Sequence, residues 1–184
     1  MSYNLGLKGK IRSEKLDLTP PDEILKSLCD EIREETDGEI EGVVLPYGGR
    51  MKSYTRKGGM LGYTQDEEVN IQDSLGAVGN KISRFEFCLA TPIYKDFRYR
   101  LMLVEYDLAV YPATVVLESD IANQLPQYGN GYIYSFKSRK DFQIFLVDVI
   151  NSDKAVTILQ QLINLAGNAM HLEMNEEAET NAGV

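Results

Sequence analysis

Two kinds of hydrophobic spacing alternate along the chain. After Thr19, apolar residues recur every three to four positions, which predicts an N-terminal helix with one buried face that ends at Gly38. Near the other end, Ser138 and Asp141 form a capping-box-like start for a second helix, and after a short break a last helix is predicted to end at Gly167. The pattern therefore predicts helices at both ends of the chain.

Three segments between these helices show the two-residue alternation of strands. Their predicted inward residues are Phe85, Phe87 and Leu89, then Phe97, Tyr99, Leu101 and Leu103, then Tyr111, Ala113, Val115 and Leu117. Because short turns join the segments, they predict an antiparallel meander, with further strands over 40–45 and 132–136 and a short helix over 119–125. We therefore expect an α+β fold: an antiparallel four- or five-stranded meander packed by an N-terminal helix and two C-terminal helices.

The chain is predicted to form a single domain. Residues 1–18 precede it as an extension, and residues 19–167 form the domain itself. Residues 168–184 contain four glutamates and no lysine or arginine, which is typical of a disordered acidic tail. Residues 47–80 have little hydrophobic periodicity and several glycines, so we expect a long flexible insertion there, either functional or slack.

Composition narrows the classes of function. Nineteen Lys and Arg against 28 Asp and Glu give a net charge of −9, which repels nucleic-acid phosphates over most of the surface. A single histidine, His171, and two isolated cysteines, Cys29 and Cys88, give no basis for histidine-centred catalysis or a disulfide framework. We assign no catalytic residue, metal or cofactor. Without a signal-like start or a membrane-spanning apolar run, a cytoplasmic protein is expected.

A cationic stretch in the insertion is the first candidate site. The residues that could bind an anion there are Arg50, Lys52, Tyr54, Arg56 and Lys57. Cations would contact phosphates while the tyrosine stacks on a base. The stretch lacks the GxxxxGK[ST] spacing of a phosphate-binding loop, and a mobile loop attracted to the acidic first helix is the alternative.

Charged residues at the outward positions of the meander are the second candidate site. They are Arg84, Glu86, Arg98, Arg100, Glu105, Asp107 and Glu118. A divalent metal could draw carboxylates from neighbouring strands, but no Glu-x-Lys arrangement typical of such nucleases is present. With the turn near Leu108, Arg98 falls opposite Glu118, so we favour structural ion pairs across the strands.

The same outward positions become apolar toward one end of the sheet. Met102, Val104 and Tyr106 follow Arg100 there, although a sheet with one wet face needs no apolar residues on it. Together with Tyr111, these residues form the predicted partner-binding surface. The alternatives are that the insertion, the C-terminal helices or a second copy of the chain covers this patch.

The segments FRYRLMLVEYD, LAVYPATVVLE and SRKDFQIFL give the chain a resemblance to a group of small uncharacterised bacterial α+β proteins. These proteins have a YRYRL strand followed by a YP strand. That group has no assigned activity, so the resemblance implies no functional residue. In outline the chain is also similar to type III secretion chaperones, which are homodimers that bind extended effector segments.

From these patterns we expect a small acidic, non-enzymatic interaction protein, a bacterial or phage accessory factor that binds a protein partner or a second copy of itself. One alternative is a nucleotide- or RNA-binding module, or a metal-dependent hydrolase, that uses loop 50–57 and the outward strand acids. Another is an acidic inhibitor that mimics nucleic acid. Nucleic acid is expected to contact only loop 50–57, and no membrane contact is expected.

Overall fold

The computed structural model describes residues 18–53, 67–68, 82–94, 97–129 and 131–181, which form an α+β fold. Its main sheet has the order β1 (Glu41–Pro46), β4 (Ser83–Ala90), β5 (Arg98–Tyr106), β6 (Ala113–Leu117) and β7 (Ile133–Phe136). All neighbouring strands in this sheet are antiparallel. A separate pair joins β2 (Lys52–Ser53) to β3 (Glu67–Glu68). The predicted fold class, with five strands, is confirmed.

The helices are α1 (Pro21–Glu35), α2 (Ser119–Gln124), α3 (Arg139–Ile150) and α4 (Asp153–Asn181). The predicted end of the last helix at Gly167 is wrong, because α4 continues beyond it. A glycine inside a helix costs only about 1 kcal/mol relative to alanine, which is too little to stop a helix already anchored in the core by Ile158 and Leu162. Within the described residues, no helix has the length and apolar character needed to cross a membrane.

Helix α1 packs closely on β1, at the edge of the sheet. As predicted, the chain turns at Gly38, which has a φ of 80° and donates its N–H to the Arg33 carbonyl at 2.8 Å. A Cβ added to Gly42 of β1 would lie 2.6 Å from the sulfur of Cys29, so glycine allows this close approach. Burial raises the pKa of the Cys29 thiol to about 11, which agrees with a packing role for this cysteine.

The main hydrophobic core lies between the helices and one face of the sheet, which we call the helix face. Its large, fully buried side chains come from the helices and from the central strands: Leu25, Phe87, Leu89, Leu101, Met102, Leu117, Ile121, Phe142 and Phe145. Burying one such side chain contributes about 1.5–3 kcal/mol, so this layer supplies most of the driving force for folding.

A β-bulge decides which residues of β5 face this core. Met102 lies opposite Phe87 and Arg100 lies opposite the next residue of β4, so Leu101 has no partner between them. Leu101 and Met102 consequently both belong to the helix-face core, and the alternation inverts from there on. Leu103, predicted to face the helices, instead lies on the opposite face, and the outward orientation predicted for Met102 and Val104 is wrong.

The opposite face of the sheet, which we call the hairpin face, is covered in part by the insertion. Met51, just before β2, is 1% exposed and packs against Leu103 of β5 and Val116 of β6. Tyr47 packs against the same cluster, and the Arg100 guanidinium lies 5.6 Å from the centre of its ring. The insertion was one predicted cover for Met102 and Val104, but it covers Leu103 and Val116 instead, whereas Met102 and Val104 lie in the core on the helix face.

Candidate binding cleft

The residues predicted to bind a partner do not form an exposed surface. Met102 is 1% exposed and Val104 is fully buried, because the bulge turns both toward the helices. Tyr106 and Tyr111 are half-buried at the same end of the sheet. The predicted outward orientation of Met102 and Val104 is therefore wrong, and the main core explains their apolar character.

The two tyrosines hold the start of α1 against the sheet. The Tyr111 hydroxyl donates to the Thr19 carbonyl at 3.2 Å, and the Tyr106 hydroxyl donates to Asp22 Oδ1 at 2.5 Å. Burial raises the pKa of the Asp22 carboxyl, but the hydrogen bond from Tyr106 and the ion pair with Lys26 outweigh it and leave this pKa lowered. Burial and the bond to Asp22 raise the pKa of Tyr106.

The cationic loop is only partly described. Arg50 is exposed, and Lys52 begins β2. The remaining predicted contacts, Tyr54, Arg56 and Lys57, lie outside the described residues. The proposed anion-binding role of this loop therefore stays a prediction.

Four of the seven outward charges form ion pairs between strands, the kind of contact that the favoured interpretation predicted. Arg84 Nε lies 2.5 Å from Glu105 Oε2, and Arg100 pairs with Glu86. Glu105 is 2% exposed, so its carboxylate depends on Arg84 for compensation. Across the described part of the chain, no group of three or more His, Cys, Asp or Glu side chains could hold a metal ion.

The predicted pair between Arg98 and Glu118 does not form. Glu118 donates its N–H to the Leu101 carbonyl at 2.8 Å, three residues along β5 from the expected partner, and Arg98 lies opposite Ala90. The wide connection over 107–112 sets this different register. The Glu118 carboxylate instead caps α2 by accepting the Ile121 N–H at 2.9 Å.

A cleft opens where the chain enters α1 and α3. Its volume is about 650 Å³. One wall is mainly apolar and the other carries three cations; the lining residues are Leu18, Ala109, Tyr111, Lys137, Ser138, Arg139, Lys140 and Gln143. The segment before α1, the connection from β5 to β6 and the connection from β7 to α3 thus meet at this basic cleft.

Local sequence positions the cationic wall. The Ser138 hydroxyl accepts the Asp141 N–H at 3.2 Å and donates to the Asp141 carboxylate at 2.7 Å, so α3 starts at a defined residue. The rings of Phe136 and Phe142, on either side of this start, lie 5.7 Å apart and anchor it in the core. Lys137, the residue before the cap, therefore lines the cleft at the point where α3 begins.

The two walls are joined by a hydrogen bond from Arg139 Nη1 to Thr19 Oγ1, at 3.3 Å. Arg139 is half-buried by this contact, whereas Lys137 and Lys140 are exposed. Between the lining residues Ala109 and Tyr111, Val110 has a φ of 68°, a left-handed value that is unfavourable for a β-branched residue. The connection that supplies Ala109 and Tyr111 to the cleft thus contains a strained residue.

Chemically, the basic cleft supplies positive charge beside an apolar wall. Ammonium and guanidinium groups bind carboxylates or phosphates through charge-assisted hydrogen bonds. Leu18, which is 50% exposed, and the Tyr111 ring offer contact to a nonpolar group. The arrangement fits the binding of an anionic ligand that also has an apolar part.

Sequence reasoning missed this cleft, although a signal was present. The run KSRK at 137–140 places cations around the first turn of α3, where the helix dipole favours acids. Cations at that position oppose local stability and thereby indicate another role. From the sequence, Ser138 was predicted only as a helix cap.

Comparison of the chain with protein-family models, curated proteins and solved structures gives no match.

Proposed function

We propose that the chain is a non-enzymatic binding protein, and that its basic cleft contacts an acidic, partly apolar segment of a partner protein. The observation that carries this proposal is the placement of Lys137, Arg139 and Lys140 on a cleft of about 650 Å³ in a chain of net charge −9. A basic site on an otherwise acidic protein attracts acidic ligands locally while the rest of the surface repels them.

The surface next to the cleft supports a peptide ligand over a small anion. Lys140, Ile144 and Val147 follow helical spacing along one side of α3, and all three are exposed. Ile144 is 50% and Val147 is 55% exposed, which leaves an apolar strip that begins at the cationic wall. An extended or helical segment with acidic and apolar residues would contact both parts.

Fluorescence anisotropy with a labelled synthetic peptide of leucine and glutamate tests this proposal. The wild-type chain is expected to bind the peptide, and Lys137→Glu with Lys140→Glu should weaken binding at least about tenfold through lost attraction and added repulsion. Binding should also weaken as salt is added, because the contact lies near the surface.

A matched control changes the net charge equally without touching the cleft. Arg33→Glu with Arg98→Glu reverses two exposed cations, on α1 and β5, and should leave peptide affinity within about twofold, because both lie outside the cleft. Equal losses in both double variants, or no peptide binding by a monomeric wild type, would contradict the proposal. Binding of a labelled RNA oligomer in place of the peptide would favour a nucleic-acid role.

A further inference from the structure

We infer that the acidic segment recognised by the basic cleft is the C-terminal segment of this chain itself, residues 168–184 of a second copy. This inference rests on the proposed function, since it names the partner of the same site. It makes the protein a dimer in which each copy gives its C-terminal segment to the cleft of the other.

Charge complementarity is the first argument. Residues 168–184 contain Glu173, Glu176, Glu177 and Glu179 and no lysine or arginine. They also contain the apolar residues Met170, Leu172, Met174 and Val184. The segment thus combines the acidic and apolar chemistry that the cationic wall and the strip on α3 would contact.

The course of α4 supplies the second argument. Among the side chains of α4 that are described, Ala155, Ile158 and Leu162 pack in the core, and the helix continues without a break to Asn181. Beyond Gly167 it extends for about 21 Å at 1.5 Å per residue. Because a continuous helix has no hinge that would turn its end back, a neighbouring copy is the better-placed acceptor.

The residues that line the cleft are consistent with binding of residues 168–184 from a second copy. Of the α4 residues whose side chains are described, 153–167, none lines it; the walls come from the segment before α1, the β5–β6 connection and the start of α3. A two-fold axis would make the two contacts equivalent and close the assembly at two copies.

Light scattering on the full chain, whose mass is 20.7 kDa, is the direct test. The wild type should show twice that mass. Lys137→Glu with Lys140→Glu, or Glu176→Lys with Glu177→Lys, should each raise the dimer dissociation constant at least about tenfold. The variant that combines all four changes restores opposite charges across the contact and should dimerise again, whereas Arg33→Glu with Arg98→Glu should remain dimeric.

The combined variant separates a specific contact from damage to folding, since a misfolded acceptor cannot be rescued by reversing charges on its ligand. A wild type that stays monomeric, or a combined variant that is no more dimeric than its parents, overturns the inference. If the chain is monomeric and Glu176→Lys with Glu177→Lys increases affinity for the leucine–glutamate peptide, the segment occupies its own cleft and the dimer is wrong.

The peptide assay distinguishes failure of this inference from failure of the proposed function. If the wild type is monomeric but binds the peptide through Lys137 and Lys140, the proposed function stands and only the inferred self-recognition is wrong. If the wild type is monomeric and binds no acidic peptide, both the proposed function and the inferred self-recognition are wrong.

Discussion

The two faces of the sheet are built from the same strands but are held in different ways. The helix face buries a continuous apolar layer that includes Phe87, Met102 and Val104. The hairpin face buries a small cluster around Met51 and Leu103 beside ion pairs between strands. The helix face is stabilised by the large apolar area that it buries, whereas the hairpin face depends on a few specific contacts.

This difference shows how one inserted residue changes which face of the sheet the following side chains of β5 occupy. Leu101 occupies the bulge, so Met102 and Val104 enter the helix face while Leu103 and Glu105 turn to the hairpin face. Without the bulge, a buried glutamate would face the helices. The bulge thus sorts the polar and apolar residues at this end of β5 onto compatible faces.

The largest expected effect comes from Val104→Lys. A charged group in the helix-face core should destabilise the protein by about 4 kcal/mol or more, because neither water nor a partner reaches it. Chemical denaturation measures this loss. Leu108→Lys is the control, since Leu108 is 73% exposed and should change stability by less than about 0.5 kcal/mol. A folded Val104→Lys variant of wild-type stability would show that β5 lacks this orientation.

Methionine truncation compares the two faces directly. Met51 and Met102 are each 1% exposed, but they belong to different clusters. Met102→Ala should cost about 4 kcal/mol and Met51→Ala about 2 kcal/mol, because the smaller cluster can collapse more readily around a cavity. Denaturant midpoints measured at equal slope give the comparison. A larger loss at Met51 would reverse the ranking of the two faces.

On the hairpin face, Glu105→Ala should cost about 2 kcal/mol, because Arg84 then loses its carboxylate partner. Since Arg84 is 30% exposed, water compensates part of that loss. The double variant Arg84→Met with Glu105→Leu should regain most of the stability, as the charges are removed together. If the double variant is as unstable as Glu105→Ala, packing rather than charge explains the loss.

The smallest expected effect concerns the polar end of the helix face. The lowered pKa of Asp22 means that its ionised form contributes stability above its unfolded pKa, and that this contribution disappears as pH falls through the folded pKa. Tyr106→Phe removes one cause of the lowering and should cost about 1 kcal/mol near neutral pH. The gap to wild type should narrow in acid, as unfolding curves near pH 7 and pH 3 would show. A gap that does not change with pH would contradict this role.

Much of the architecture could be predicted because local signals agree with their surroundings. Ser138 caps α3 as predicted, and Gly38 makes the turn after α1. The alternation of Phe87 with Leu89 and of Val115 with Leu117 identified the core face of β4 and β6. In each case a residue's chemistry and its neighbours point to the same conformation.

The errors within the sheet arose where the position of a residue depends on a partner strand. A bulge leaves no mark in the hydrophobic pattern of β5, since Leu101, Met102 and Leu103 are all apolar. The register that separates Arg98 from Glu118 depends on the length of the connection over 107–112. Hydrogen bonds between strands decide both features, and a pattern within one strand does not contain them.

By itself, the sequence determined the α+β class, the helix starts at local caps and the acidic balance, because these follow from neighbouring residues and from composition. Only the tertiary structure decided which face receives Met102 and which receives Leu103, and that Leu18, Tyr111 and Lys137 meet at one cleft. Residues more than a hundred positions apart become neighbours only when the strands between them are paired. The candidate site therefore depends on how the strands pair, whereas the helices and strands themselves follow from the local spacing of apolar residues.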